Sequence, residues 1–168
     1  MRMILNMCDK LSQPLRESRF MRETLQQYLL DNIPLSRAMQ VEVLDAGGTG
    51  VSVWAPLPAN INHGGTMFGG SLSAVALLCA WGWAHVRLLG SGLSGHIVVQ
   101  RSEMDYLLPA ASAVRASTEA VDEEDWDKLL RAVRRGRKGR IALSVRLEDE
   151  QGACCARMSG VFVVLPPA

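Results

Sequence analysis

Between Ala46 and Val86 the chain carries no aspartate, glutamate, lysine or arginine. The part of this stretch with helical character, Met67 to Leu89, is about long enough to cross a bilayer. A helix buried on all sides by protein reads the same way. Several features favour burial. The run holds Ser71, Ser73, His85 and Arg87, its N-terminal end is rich in glycine and polar residues, and strand signals surround it. Overall, 48% of residues are hydrophobic and 21% are charged, as in ordinary soluble globules. The expectation is one apolar helix enclosed by a sheet, with no membrane partner.

The rest of the chain supplies that sheet. Residues 1–17 are polar and unpatterned and read as an N-terminal tail. Residues 18–168 read as a single domain, as a length of 168 suggests. Phe20, Met21, Thr24, Leu25, Tyr28 and Leu29 mark one stripe of a helix that Pro34 ends or turns near Ile33. Alternation on both sides of "DAGGTG" predicts a hairpin from Gln40 to Leu57. "GHIVVQRSEMDYLLP" predicts a long strand, with Val98, Met104 and Tyr106 sharing one face and Glu103 and Asp105 the other. "ASAVRASTEAV" is a further strand. In "DEEDWDKLLRAVRRG" acids crowd the first turn and arginines the last, with Trp126, Leu129, Leu130 and Val133 as the buried stripe. A hairpin with Ile141, Leu143, Val145 and Leu147 in register closes the chain.

Cys8, Cys79, Cys154 and Cys155 show no metal-ligand spacing. "MRMILNMCDK" lacks the apolar core of a signal peptide. Both absences point to reduced thiols and a cytoplasmic location. A net charge of +1 argues against a general nucleic-acid binder.

The chemistry concentrates at the entry to the apolar helix. "NINHGGTMFGG" holds Asn60, Asn62, His63 and two glycine pairs, Gly64–Gly65 and Gly69–Gly70. Amides can orient an imidazole, a water or a carbonyl. Glycines at a helix start admit a ligand to the backbone amides, or else permit tight packing of helix on sheet.

His63-Gly64-Gly65 ahead of a small-residue helix, with "YLLPA" from Tyr106 to Ala110, resembles the hotdog-fold thioesterases. The longer string "NINHGGTMFGGSLSAVALLCAWGW" is similar to the thioesterase-like domain of the YiiD C-terminal type, which follows an N-acetyltransferase domain in some bacterial proteins. "IPLSRAM" and "EEDWDKLLRAVRRGRKGRI" fit that type, and the resemblance spans roughly Leu25 to Leu165. It implies an α+β hotdog fold, an antiparallel sheet wrapped around one long central helix, assembled as a homodimer or a dimer of dimers. It implies hydrolysis of an acyl thioester carried by coenzyme A or acyl carrier protein, without a cofactor.

Carried over residue by residue, the resemblance places oxyanion donors at the amides of Gly64 and Gly65, with His63 shaping or polarising the site. Asn60, Asn62, Thr66, Gly69, Gly70 and Tyr106 become candidates for holding substrate. Related hotdog thioesterases commonly carry an Asp or Glu on the central helix, at a position that falls near Leu72 here. This helix has none. Ser71 is then a candidate for holding water and Glu103, on the long strand, a candidate base. Equally, Glu103 and Asp105 read as solvated strand residues.

"RRGRKGR", Arg134 to Arg140, is the strongest basic cluster. Arg134 and Arg137 are candidates for coenzyme A phosphates, or the cluster is a solvated helix end satisfying the dipole. Two other functions stay open: a non-catalytic acyl-coenzyme-A-binding or regulatory module, and a hotdog dehydratase or hydratase.

Overall fold

The computed structural model describes residues 18–47 and 49–167. The N-terminal tail of 1–17, with Cys8, lies outside the described residues. The elements run as α1 (18–32), α2 (Pro34–Ala38), β1 (Glu42–Ala46), β2 (Val51–Ala55), α3 (Gly69–Gly90), β3 (His96–Tyr106), β4 (Val114–Thr118), α4 (Glu123–Arg134), β5 (Gly139–Asp149) and β6 (Cys154–Leu165). The strands form one antiparallel sheet in the order β1-β2-β4-β5-β6-β3. This sheet wraps α3, which packs against every strand. That is the hotdog arrangement.

The core lies between α3 and the concave face of the sheet. Val75, Ala76, Cys79, Ala80 and Ala84 are fully buried there against Val51, Val53, Val114, Leu143, Val145 and Phe162. The small residues of α3 let the sheet close tightly on it. Gly82 marks where α1 crosses, since a Cβ there would meet Leu25 at 3.0 Å and Val51 at 3.7 Å. Leu25 and Leu29 seal this crossing, whereas Phe20, at one end of the same predicted stripe, is exposed. Pro34 does not merely stop α1. It opens α2, where its missing N–H costs nothing. On the other flank α4 is capped by Asp122, whose side chain accepts from the Glu124 amide at 2.8 Å. Its stripe of Trp126, Leu129, Leu130 and Val133 is buried as expected.

α3 begins later than its composition suggests. The amides of Met67 and Phe68 bond to the carbonyls of Ala110 and Asn60, both at 2.8 Å, and Phe68 is extended. These bonds hold the two residues out of the helix, so its first residue is Gly69.

In β3 a bulge between Val99 and Arg101 reverses the alternation. Val98 therefore does not share a face with Met104. Val98 pairs with Val163 outside the core cluster, whereas Ile97 and Met104 turn inward against Val164 and Met158.

The two edge strands differ. At β1 the Gln26 amide donates to the Val41 carbonyl at 3.1 Å and accepts from the Val43 amide at 2.6 Å. One side chain of α1 thus takes a carbonyl and an amide that a neighbouring strand would otherwise use. On β3 the Trp81 indole takes one carbonyl, that of Ile97, and Val98 and Val99 are exposed.

Candidate active site at the start of the central helix

The segment 56–68 is fixed by two asparagines. Asn60 is buried and donates to the carbonyls of Pro56 at 2.8 Å and Met39 at 2.9 Å. Its own carbonyl accepts from Phe68, which anchors the entry to α3. Asn62 winds the next turn on itself. Its Oδ1 accepts from the amides of Gly64 at 2.8 Å and Thr66 at 3.2 Å, its Nδ2 donates to Thr66 Oγ1 at 3.0 Å, and its main-chain carbonyl accepts from Gly65 at 3.2 Å.

This turn explains the first glycine pair without any ligand. Gly65 has φ of +79°, where L residues are strained. A Cβ on Gly64 would press on Asn62 Oδ1 at 3.3 Å. The amides expected to hold an oxyanion are both engaged by Asn62, and the turn precedes the helix rather than starting it.

The uncapped donors lie further on. Phe68 provides no side-chain cap for α3, and the amides of Gly69, Gly70 and Ser71 have no partner among the described residues. They point out of the helix N-terminus, where the macrodipole also favours negative charge.

Two rings frame them. A Cβ on Gly70 would lie 2.3 Å from the Phe68 ring, and one on Gly69 would lie 3.4 Å from the ring of Tyr106. The Tyr106 hydroxyl donates to the Gly69 carbonyl at 3.1 Å. The second glycine pair therefore exists because two aromatic rings close onto the helix backbone. Phe68 and Tyr106 remain 57% and 55% exposed, and Ile61, Leu107 and Leu108 add exposed apolar surface beside them.

Of the residues expected at this site, Asn60, Asn62, Gly64, Gly65, Thr66, Gly69, Gly70 and Tyr106 are joined by these contacts. His63 sits exposed at the tip of the Asn62 turn, and Ser71 is half-buried in the first turn of α3. Glu103 is not brought to them. It faces the convex side of the sheet, opposite Met104, pairs with Ser159 and forms an ion pair with Arg101. Arg134 and Arg137 are also remote within the chain. They flank the end of the sheet where Gly139, Val164 and Ile97 align, whereas Leu147, Ala156 and Tyr106 align at the helix-start end.

Phe68 was not anticipated as a site residue. Its signal was an aromatic residue placed directly before a glycine pair. Among the described residues no group of histidines, cysteines or carboxylates is arranged to hold a metal. Burial raises the Cys79 thiol far above its ordinary pKa, and the thiol lies 3.3 Å from the Val51 carbonyl as part of the core.

A family model described as "Putative thioesterase (yiiD_Cterm)" matches residues 22–166. The chain belongs to this family.

Solved structures of similar proteins share the fold. A protein of Shewanella oneidensis described as a "putative thioesterase" is 32% identical, with a TM-score of 0.80 over 88% of this chain and 99% of that one. A protein from Chlorobaculum tepidum, its function unknown, is 27% identical, with a TM-score of 0.82 over 87% and 94%. A thioesterase from Haemophilus influenzae shares the fold at 16% identity, with a TM-score of 0.68 over 86% and 90%.

Proposed function

We propose that this YiiD C-terminal chain hydrolyses acyl thioesters of coenzyme A or acyl carrier protein, as a cytoplasmic homodimer that uses no cofactor. The observation that carries this reading is the set of three uncapped amides at Gly69, Gly70 and Ser71, framed by Phe68 and Tyr106. The thioester carbonyl oxygen sits at these amides. Water adds to the carbonyl carbon, and the developing oxyanion is held by donors already in place. The C–S bond then breaks, giving a carboxylic acid and a thiol.

The water needs a base. In the segment 56–73 the only imidazole or carboxylate is His63, and the reading assigns it to accept the proton of the water and return one to the leaving sulfur. Ser71 holds the water. Glu103 has no part in this scheme, because it faces away from the helix.

The dimer completes the site. Pairing β3 with its twofold copy covers the open edge of the sheet. Antiparallel pairing also sets the Ile97 end of one copy beside the Tyr106 end of the other. The basic stretch with Arg134 and Arg137 is thereby turned toward the partner's helix start, where coenzyme A phosphates would lie.

The test is release of thiol from acyl-coenzyme-A substrates of four to sixteen carbons, measured alongside the solution mass, which should be twice 18.3 kDa. Turnover by wild type and its loss in Gly70→Val support the reading. Tight binding of a non-hydrolysable thioether analogue with no turnover would instead support the acyl-binding module, which the carboxylate-free α3 favours. The same absence weighs against a dehydratase.

A further inference from the structure

Two hydrogen bonds tie α3 to the edge strand β3, and they are far apart. At one end the Tyr106 hydroxyl bonds to Gly69. At the other the Trp81 indole donates to the Ile97 carbonyl at 3.1 Å. The stripe of α3 between them, Ser73, Ala74 and Leu77, stays only partly buried, as does Met104 on β3. These residues follow helical spacing from Gly70 to Trp81, so they form one track leading away from the uncapped amides.

The track ends in a block of stacked rings. Trp81 stacks on His85, one turn further, at 4.6 Å between ring centres and 16° between planes. Tyr28 of α1 lies against both, at 5.4 Å from Trp81 and 4.5 Å from His85. The indole is thus held by a hydrogen bond on one side and by rings on the other. Ser73 and Ala74 at the start of the track are small, Leu77 follows, and the bulkiest side chain on that stripe, Trp81, ends it. A track meant only for packing against a second copy needs no such fixed stop.

We infer that this track takes the acyl chain and that Trp81 sets its maximum length. The inference rests on the proposed carbonyl site at Gly69–Ser71. From Ser71 to Trp81 the helix rises about 15 Å, and the indole shortens the usable track by a few ångströms. An extended alkyl chain advances slightly less than one C–C bond length per carbon. The preferred substrates are therefore medium-chain acyl thioesters of roughly eight to ten carbons, with longer chains excluded.

The experiment measures kcat/KM over acyl-coenzyme-A substrates of four to sixteen carbons, and binding of the matching non-hydrolysable thioethers. Wild type should show a sharp fall beyond about ten carbons in both. Trp81→Ala should extend the limit and raise the sixteen-to-eight-carbon ratio roughly tenfold or more. Ala74→Leu narrows the track without truncating the ring stack and should shift the optimum to shorter chains. It decides the matter if Trp81→Ala does not fold. Turnover with an unchanged length profile in the folded variants would overturn the length stop while leaving the thioesterase reading intact. If wild type hydrolyses none of the series, the thioesterase reading fails, and the thioether series still decides the stop: a break in affinity near ten carbons supports it, and no break overturns it.

Discussion

The Tyr106 hydroxyl donates to the carbonyl of Gly69, the first residue of α3, from a strand separated from it by the whole length of that helix. The bond sets the distance between the β3 edge and the uncapped amides. It is more than half exposed, so its contribution to stability is small, about 0.5–1 kcal/mol. Tyr106→Phe should keep the ring against Gly69 and lower kcat/KM several-fold with little change in melting temperature. Tyr106→Ala, which also removes the ring, should cost more in kcat/KM than Tyr106→Phe.

The two glycine pairs should fail in different ways. Gly65→Ala meets open space but a strained φ, and should cost about 1 kcal/mol of stability. Gly70→Ala pushes into the Phe68 ring, which is exposed and free to swing away. It should leave the melting temperature nearly unchanged while turnover falls roughly tenfold to a hundredfold, since the ring no longer frames the amides. Thermal melts and steady-state kinetics on the same preparations separate the two.

His63→Ala should lower kcat by roughly a hundredfold or more if the imidazole is the base. Glu103→Gln should leave kcat near wild type, because Glu103 lies on the convex face with Arg101. The reverse pattern would move the base to the strand and reject the scheme above.

Burial between Tyr28 and Trp81 holds the His85 pKa below its ordinary value. The folded state therefore favours the neutral ring, while the unfolded chain takes up a proton first as pH falls. The contribution to stability is complete above the unfolded pKa, near 6.5, and is lost as pH falls from there through the lower folded value. Denaturant midpoints measured from pH 8 to pH 5 should fall less steeply in His85→Phe than in wild type.

Arg87 lies over the rings of Trp83 and Trp126, at 5.2 and 5.0 Å, and makes a two-pronged contact with Glu123 at 2.7 and 2.5 Å. Its side chain is only 14% exposed, whereas Glu123 is 70% exposed. Arg87→Met keeps the aliphatic stem and removes the charge, and should cost about 1–2 kcal/mol in denaturant unfolding. Glu123→Gln should cost distinctly less, because solvent already screens that carboxylate.

The sheet, the enclosed helix and the stripe of α4 were legible because periodicity and end signals carry them. The late start of α3 was not. It depends on carbonyls of Asn60 and Ala110 capturing two amides, a contact between segments distant in sequence. The bulge in β3 was equally hidden, since Val98 and Met104 have the right spacing until one extra residue reverses it. At the site the residue types were readable but their division of labour was not. His63-Gly64-Gly65 looked like the helix mouth because glycine suits both a ligand approach and a left-handed turn. Only the Asn62 bonds tell the two uses apart. Glu103 is a candidate base only for want of an acid on α3, and the pleat of its strand turns it to the face opposite Met104.

Gln26 has a consequence for how copies of this chain add to one another. In the vocabulary of polymer chemistry, a sheet with two reactive ends is a difunctional monomer, and each addition leaves a new end for the next. By filling the Val41 carbonyl and the Val43 amide from within, Gln26 blocks part of the β1 end, and in the proposed pairing the β3 end is the functional group that remains. A monofunctional unit couples once and stops. On the proposed pairing through β3, edge addition stops at two copies, and removing the glutamine side chain would convert a coupling reaction into a growth reaction.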